Sequence, residues 1–359
     1  MRPTYAQIDL GAVRHNVGEL VSLVAPAKVC AVVKADGYGH GDVPVAEAAV
    51  EAGAALLAVA LVEEGVRLRE AGIEGPILVL SEPITTDAAE IVRWGLTPTA
   101  YRTEFVRALA SVATDPIDVH VKIDTGMHRV GASPGALKGM VDAIGTGTPL
   151  RLGGVWTHFA VADEDPEFTN RQIELFREVV GDPSIPVHLA NTAGAVLFPD
   201  ARGDLVRTGL GTYGLHPCPD TRPVVDLRPA MSVLSKVVHL QRLPVGARPS
   251  YGRRRPLADE ATVATVPIGY ADGMPRRLSA AGGEVLIGGR RHALAGTVTM
   301  DQIVIDVGDY PAAIGDEVVL IGRQGDEEIG ADEWAEKIDT ISYEIVCGIG
   351  PRVPRKYIG

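Results

Sequence analysis

The stretch "CAVVKADGYGHG", residues 30–41, ends an apolar run on Lys34 and follows it with Gly37, Tyr38, Gly39, His40 and Gly41. Burial disfavours the ammonium form, so a lysine emerging from an apolar strand is a candidate for an uncharged amine near neutral pH. Such an amine is the nucleophile that a Schiff base with an aldehyde requires. A lysine that only ends its strand and pairs with a carboxylate is the plainer alternative. Tyr38 has a hydroxyl to offer to an anion, and the glycines permit close backbone approach.

Other groups with chemical capacity stand where further apolar runs end. Lys122 and Asp124 close "IDVHVKID" and lead into Thr125, Gly126, Met127, His128 and Arg129. His158 closes "LRLGGVWTH", Asn191 and Thr192 follow "IPVHLA", and Arg207 sits in "DLVRTG" ahead of Gly209 and Leu210. A buried arginine needs an acceptor; a pyridine nitrogen and a carboxylate both qualify. The Thr192 hydroxyl and the backbone donors around Gly209, Leu210 and Gly211 suit a phosphate, although two ordinary glycine turns read the same way. His158 fits a hydrogen-bonded rim position or a place beside a flat ring. No metal is expected, because His40, His158 and His188 lack the spacing of a ligand motif such as HExxH.

The elements that must position these groups follow from periodicity. Eight short apolar runs, "KVCAVVK", "ALLAVAL", "PILVL", "LTPTA", "IDVHVKID", "LRLGGVWTH", "IPVHLA" and "DLVRTG", read as buried parallel strands. Amphipathic stretches separate most of them. In "VPVAEAAVEAG" Val45, Ala48, Ala49 and Ala52 share a helical face with Gly53 as terminator, and "TEFVRALASVA" opens on Thr103 as a cap. Eight strand–helix repeats predict an α/β fold with an N-terminal (β/α)8 TIM-type barrel, residues 1–228, whose strand ends converge on one rim. "ALVEEG" lacks the glycine fingerprint of a dinucleotide-binding turn. From about residue 229 to 359, β-branched runs between Gly, Pro and Asp turns predict a mostly antiparallel β domain with one late helix at "ADEWAEKI".

Bulk properties narrow the class. The chain has 359 residues and a formal net charge of −12, which argues against a nucleic-acid partner. Three widely spaced cysteines, with no CxxC, fit a reducing compartment. "AGAALLAVALV" is too short to span a bilayer, and "MRPTYAQIDL" has no apolar core of signal-peptide length. The expectation is a soluble cytoplasmic protein without a membrane partner.

An aldehyde-reactive lysine, a tyrosine, phosphate loops and a ring-facing arginine together describe pyridoxal 5′-phosphate held in a barrel. In "AVVKADGYGHG", "KIDTGMHRVG", "THFAVAD", "ANTAG", "VRTGLGTYGL", "SYGR", "IGYADG", "TVTMDQ" and "TISYEIVC" the sequence resembles, nearly end to end, the alanine racemases among the fold-type III pyridoxal-phosphate enzymes. The resemblance implies interconversion of L- and D-alanine, supplying D-alanine for peptidoglycan, in a homodimer with shared active sites. It makes Lys34 the residue of the internal aldimine and one proton-transfer base, and Tyr251 the opposite base, reaching in from the partner subunit. Tyr38, Thr192, Gly209, Leu210 and Tyr343 match phosphate contacts, with Asn191 beside Thr192. Arg207 matches the pyridine-nitrogen partner and His158 a residue beside the ring. Arg129 and the backbone of Met300 match substrate-carboxylate contacts, and Tyr270 and Asp301 residues around the entrance. Lys122 matches a lysine that can be carbamylated and so orient Arg129. Thr299 departs from the family, where cysteine is common, and His128 occupies the variable position before Arg129; the family often has serine where Thr192 stands. The alternatives within reach of the same scaffold are a serine or broader-specificity racemase and a non-catalytic pyridoxal-phosphate-binding protein. A decarboxylase is disfavoured, because Arg129 would stabilise the carboxylate that has to leave.

Overall fold

The computed structural model describes residues 2–145 and 147–359. Contacts divide the chain into two units: Gly11–Gly37 with Gly41–Arg228, and the residues up to Leu10 with Tyr38–His40 and Pro229–Gly359. The first strand, β1 (Tyr5–Asp9), which the sequence reading leaves with the barrel, pairs instead with strands of the second unit. Its partners lie more than 200 residues away in the chain, so no local pattern marks the pairing.

In the first unit all eight apolar runs are parallel strands. They are β2 (Lys28–Val32), β3 (Leu56–Val59), β4 (Ile77–Val79), β5 (Thr97–Ala100), β6 (Ile117–Lys122), β7 (Leu150–Trp156), β8 (Val187–His188) and β9 (Leu205–Thr208). The sheet runs β8-β7-β6-β5-β4-β3-β2-β9. Its seam carries two backbone bonds, from Asp204 N–H to the Val187 carbonyl and from Arg207 N–H to the Ala190 carbonyl, both 2.9 Å. The result is a nearly closed barrel. Strands such as β3 and β4 are covered on both faces, which is why those runs are apolar throughout rather than alternating. The crossover helices bury most of their apolar faces: Val45, Ala48 and Ala49 in Asp42–Glu51, where Ala52 is the C-cap, and Phe105, Val106 and Leu109 in Thr103–Val112, where Val112, at the same helical spacing as Phe105 and Leu109, is exposed instead. Thr103 is the first helical residue rather than the cap. Arg102 holds the cap position, and its N–H is taken by the Glu82 carboxylate at 2.8 Å.

The second unit holds β10 (Met231–Lys236), β11 (His239–Leu243), β12 (Ala261–Val266), β13 (Glu284–Ile287), β14 (Arg290–Ala293), β15 (Ile303–Gly308), β16 (Glu317–Gln324), β17 (Glu327–Ile329) and β18 (Arg355–Ile358). One sheet runs β14-β13-β16-β10-β1-β18 with β17 on β16, and β11-β12-β15 form a second. Every pair is antiparallel except β1 with β18. Leu257, Ala261, Val263 and Ala295 form a buried cluster with β12 at its centre. The late helix, Ala331–Ile338, is present, and a second one, Ser342–Gly348, follows it. Among the described residues no helix is long and apolar enough to cross a membrane.

Candidate active site

Half-buried Lys34 lies two residues beyond the end of β2. Beyond it the backbone turns left-handed for four residues in succession: Ala35, Asp36, Gly37 and Tyr38 have φ of 53°, 53°, 58° and 50°. For a residue with a Cβ this conformation costs about 1–2 kcal/mol, and three of the four carry one. The turn is closed by Gly37 N–H on the Val33 carbonyl at 3.0 Å and Gly41 N–H on the Asp36 carbonyl at 2.8 Å. Glycine spacing in "KADGYGHG" signals part of this turn; nothing in Ala35 or Asp36 does.

Within the second unit Tyr38 lies against Tyr343, ring centroids 5.9 Å apart, and burial, then Tyr343 and Cys347, push its phenol above the ordinary tyrosine range. Gly39 leaves no room for a side chain. A Cβ there would lie 2.4 Å from the Val346 carbonyl oxygen, at a φ of +79°. Gly39→Ala is therefore expected to destabilise this unit by about 2–4 kcal/mol, combining overpacking with an unfavourable φ. Denaturant unfolding measures it, and a loss under about 1 kcal/mol contradicts the packing described.

Four cations gather at the barrel mouth. His158 is held neutral, its pKa well below the usual value through burial and then Arg207, Lys122, Arg129 and Lys34. Lys122 is buried at the end of β6, and burial, followed by Arg207 and Arg129, lowers its pKa to about 8. Its Nζ sits 4.6 Å from the centre of the Trp156 ring. Arg129 is exposed on the loop that follows. That loop is ordered by Asp124, whose Oδ1 accepts the Gly126 and His128 N–H groups, each at 3.0 Å. With so much positive charge, the mouth favours anionic ligands.

Arg207, on β9, is buried, and among the described residues no carboxylate pairs with it. Nη1 donates to His188 Nδ1 and to the His188 carbonyl, both at 2.9 Å, and Nη2 to the carbonyls of Thr157 (2.7 Å) and Leu189 (2.9 Å). Nη2 also approaches His158 Nδ1 at 3.4 Å. Among the described residues Nε–H has no acceptor. Burial lowers the guanidinium pKa to about 10, so it remains charged at neutral pH. Because Arg207 donates to Nδ1 of His188, the His188 proton is assigned to Nε2, which then donates to His120 Nδ1 at 2.8 Å. Both imidazoles are kept neutral by burial. Trp156 stacks on His188 at 5.4 Å and faces Arg207 at 4.5 Å. This interior string was missed in the sequence, although His120 and Lys122 alternate along β6 at the spacing of one strand face.

Asn191 caps the short helix Thr192–Leu197, its Oδ1 accepting Gly194 N–H at 2.9 Å. The Thr192 hydroxyl oxygen accepts Gly209 N–H at 3.2 Å and Gly211 N–H at 3.3 Å. With both lone pairs engaged, its proton is left to donate outward. Leu210 opens the next turn and is buried. A Cβ on Gly211 would meet Thr192 Cγ2 at 2.8 Å, so this cradle admits only glycine.

The remaining candidates lie in the second unit. Tyr251 is 72% exposed on a turn pinned by Thr297 Oγ1 donating to the Tyr251 carbonyl at 2.8 Å. Met300 is exposed, and so is Tyr270, whose N–H binds the Thr299 carbonyl at 2.9 Å. Asp301 pairs with Arg352 at 2.7 Å. The Thr299 hydroxyl closes its own turn, donating to the Gln302 carbonyl at 2.7 Å, a role a thiol fills poorly.

Comparison with known proteins matches residues 8–217 to the family described as "Alanine racemase, N-terminal domain" and residues 230–357 to "Alanine racemase, C-terminal domain". An alanine racemase of Symbiobacterium thermophilum is 45% identical, covering 100% of this chain and 98% of its own. One from Halothermothrix orenii is 43% identical, with 99% and 97% covered. A crystal structure of alanine racemase from E. faecalis superposes with a TM-score of 0.95 at 36% identity, covering 99% of this chain and 98% of that one. The Bacillus anthracis alanine racemase, solved with bound L-Ala-P, gives 0.92 at 38% identity, covering 100% and 96%. Both halves of the sequence, the barrel and the β unit thus agree on one assignment: this chain belongs to the alanine racemase family.

Proposed function

We propose that the protein interconverts L- and D-alanine with pyridoxal 5′-phosphate, using Lys34 and the Tyr251 of a second subunit as its two proton-transfer groups. The observation that carries this reading is Arg207: a buried cation with its terminal nitrogens committed to carbonyls and imidazoles and, among the described residues, no acceptor for its Nε–H. That donor suits an uncharged ring nitrogen. The Thr192–Gly209–Gly211 cradle offers a hydroxyl proton to a phosphate, so the residues present fit the cofactor. When bound, pyridoxal phosphate supplies an electron sink for the charge that develops at the substrate α-carbon.

The chain's own groups then divide the work. Thr192, Gly209 and Leu210 hold the phosphate end, with Tyr38 and Tyr343 as further hydroxyl contacts. Arg207 donates a hydrogen bond at the ring nitrogen and, being charged at neutral pH, gives up no proton there. His158, uncharged, packs beside the ring. Arg129 and the Met300 amide receive the substrate carboxylate, while Tyr270 and Asp301 line the entrance. Lys34 Nζ removes or returns the α-proton on one face and the Tyr251 hydroxyl does so on the other. Supplying D-alanine for peptidoglycan is the role this activity serves in the proposal. Alanine is the substrate proposed ahead of serine because the relatives at 43% and 45% identity are alanine racemases. The test follows the optical rotation of L-alanine with purified protein and added cofactor: decay toward the racemate supports the reading, and a constant rotation ends it.

Lys122 completes the substrate end. Its pKa of about 8 leaves a substantial fraction as uncharged amine just above neutrality. That amine adds to carbon dioxide, forming an N–C bond and releasing a proton, and the resulting carbamate is an anion suited to orient Arg129. Carbamylation is expected to rise as pH increases through about 8, where the ammonium gives way to the amine. Intact-mass measurement in bicarbonate buffers at rising pH checks it. A mass that never gains carbon dioxide, or does so equally at pH 6 and 9, contradicts it.

A further inference from the structure

The left-handed turn after Lys34 is held from outside by one helix. That helix, Val62–Glu70, follows β3 and places Glu64 and Arg67 three residues apart, on one face. Glu64 Oε1 accepts the N–H of Ala35, the residue next to Lys34, at 2.7 Å. Its Oε2 accepts Ala60 N–H at 2.8 Å and Leu61 N–H at 3.2 Å, so the carboxylate is fixed at its own helix start. Arg67 grips the far side of the loop, with Nε donating to Asp42 Oδ2 at 2.6 Å. Asp42 is buried, and its N–H leans on Asp36 Oδ1 at 3.3 Å. The loop "KADGYGHGD" is therefore tied at both ends to a single rigid element, with its strained residues between the ties.

We propose that Glu64 and Arg67 act as positioning residues for Lys34, with Glu64 the principal one. By fixing the Ala35 amide, Glu64 forces the left-handed conformation that aims the lysine side chain out of β2. Without the clamp, Ala35 and Asp36 relax toward negative φ and Lys34 loses its fixed direction. The inference rests on the reading of Lys34 as a proton-transfer group, but the clamp itself is measured independently of activity.

The decisive variant is Glu64→Ala, alone and combined with Ala35→Gly. Glycine adopts positive φ without steric cost, so it restores the turn in the absence of the carboxylate. A residue that only capped its helix would not be rescued this way. Amide exchange over residues 34–41 is expected to speed up by about tenfold in Glu64→Ala, the scale of one lost charge-assisted hydrogen bond. In the cofactor-loaded enzyme kcat is expected to fall by about tenfold with KM for alanine within about twofold, the pattern of a misplaced reacting group. Ala35→Gly should recover most of both effects. Unchanged exchange over residues 34–41, unchanged kcat, or a loss that Ala35→Gly leaves in place each overturn the proposal. Lys34→Ala, assayed separately, reveals whether the reading of Lys34 has failed instead.

Discussion

Replacing Lys34 by alanine is expected to lower alanine racemisation by at least about 10⁴-fold, because in the proposed mechanism the substitution removes a nucleophile and a proton-transfer base together. It should also abolish the visible absorption of lysine-bound pyridoxal phosphate, while non-covalent affinity for the cofactor persists through Thr192, Gly209 and Arg207. The fold should not suffer. Lys34 is one of four cations around His158, so its removal eases repulsion. Lys34 also contributes to lowering the Lys122 pKa, so in Lys34→Ala the pKa of Lys122 should move up, toward the ordinary lysine value. The three readouts therefore separate: activity and absorption vanish, melting temperature holds or rises, and Lys122 carbamylation shifts to higher pH. Retained absorption with retained turnover removes Lys34 from the mechanism. A collapse of the melting temperature would mean that the lysine supports the fold.

Apolar periodicity was enough to locate every barrel strand, even "LTPTA", where Pro98 sits inside β5. The reason is physical: strands covered on both faces carry their signal in each residue. Strand β1 escaped because "YAQID" alternates weakly and its partners, in β10 and β18, are remote in the chain. Helix caps were the least legible, as Thr103 shows, because Glu82, a residue from another loop, binds the Arg102 N–H.

The candidate site was legible as a set of residues and not in what supports them. Lys34, Lys122, Arg129, His158 and Arg207 stand at strand ends, where a barrel gathers its chemistry. What holds them does not show in one-dimensional order. The Arg207–His188–His120 string depends on which faces of β9, β8 and β6 point inward. Gln172 illustrates the same limit. Buried on the helix Pro166–Val180, it donates to Thr125 Oγ1 and to the His158 carbonyl, both at 3.2 Å, joining the loops after β6 and β7. A lone glutamine in an amphipathic helix carries no sign of that task. The turn after Lys34 was half visible, because glycine advertises positive φ and alanine does not.

Mixing two inactive variants is expected to restore activity if Tyr251 serves the neighbouring subunit. Each site would then draw Lys34 from one chain and Tyr251 from the other. In a dimer pairing Lys34→Ala with Tyr251→Phe, one site receives both altered residues and the other receives neither. Random re-pairing of equal amounts makes about half the dimers mixed, and half of their sites are intact, so activity should reach about a quarter of the wild-type level. Tyr251 is 72% exposed on its own chain, which leaves its hydroxyl accessible to such a partner. Its turn is pinned at the backbone by Thr297, so Tyr251→Phe removes an oxygen without loosening the loop that carries it. Tyr251→Phe alone should slow α-proton exchange with solvent for one enantiomer far more than for the other, since in the proposed mechanism only one face loses its base. If co-refolded variants stay at the level of the two parents while the unmixed wild type refolds to full activity, both residues of each site come from one chain. In that case the dimer is no longer required by the chemistry, and a monomer should turn over at the full rate.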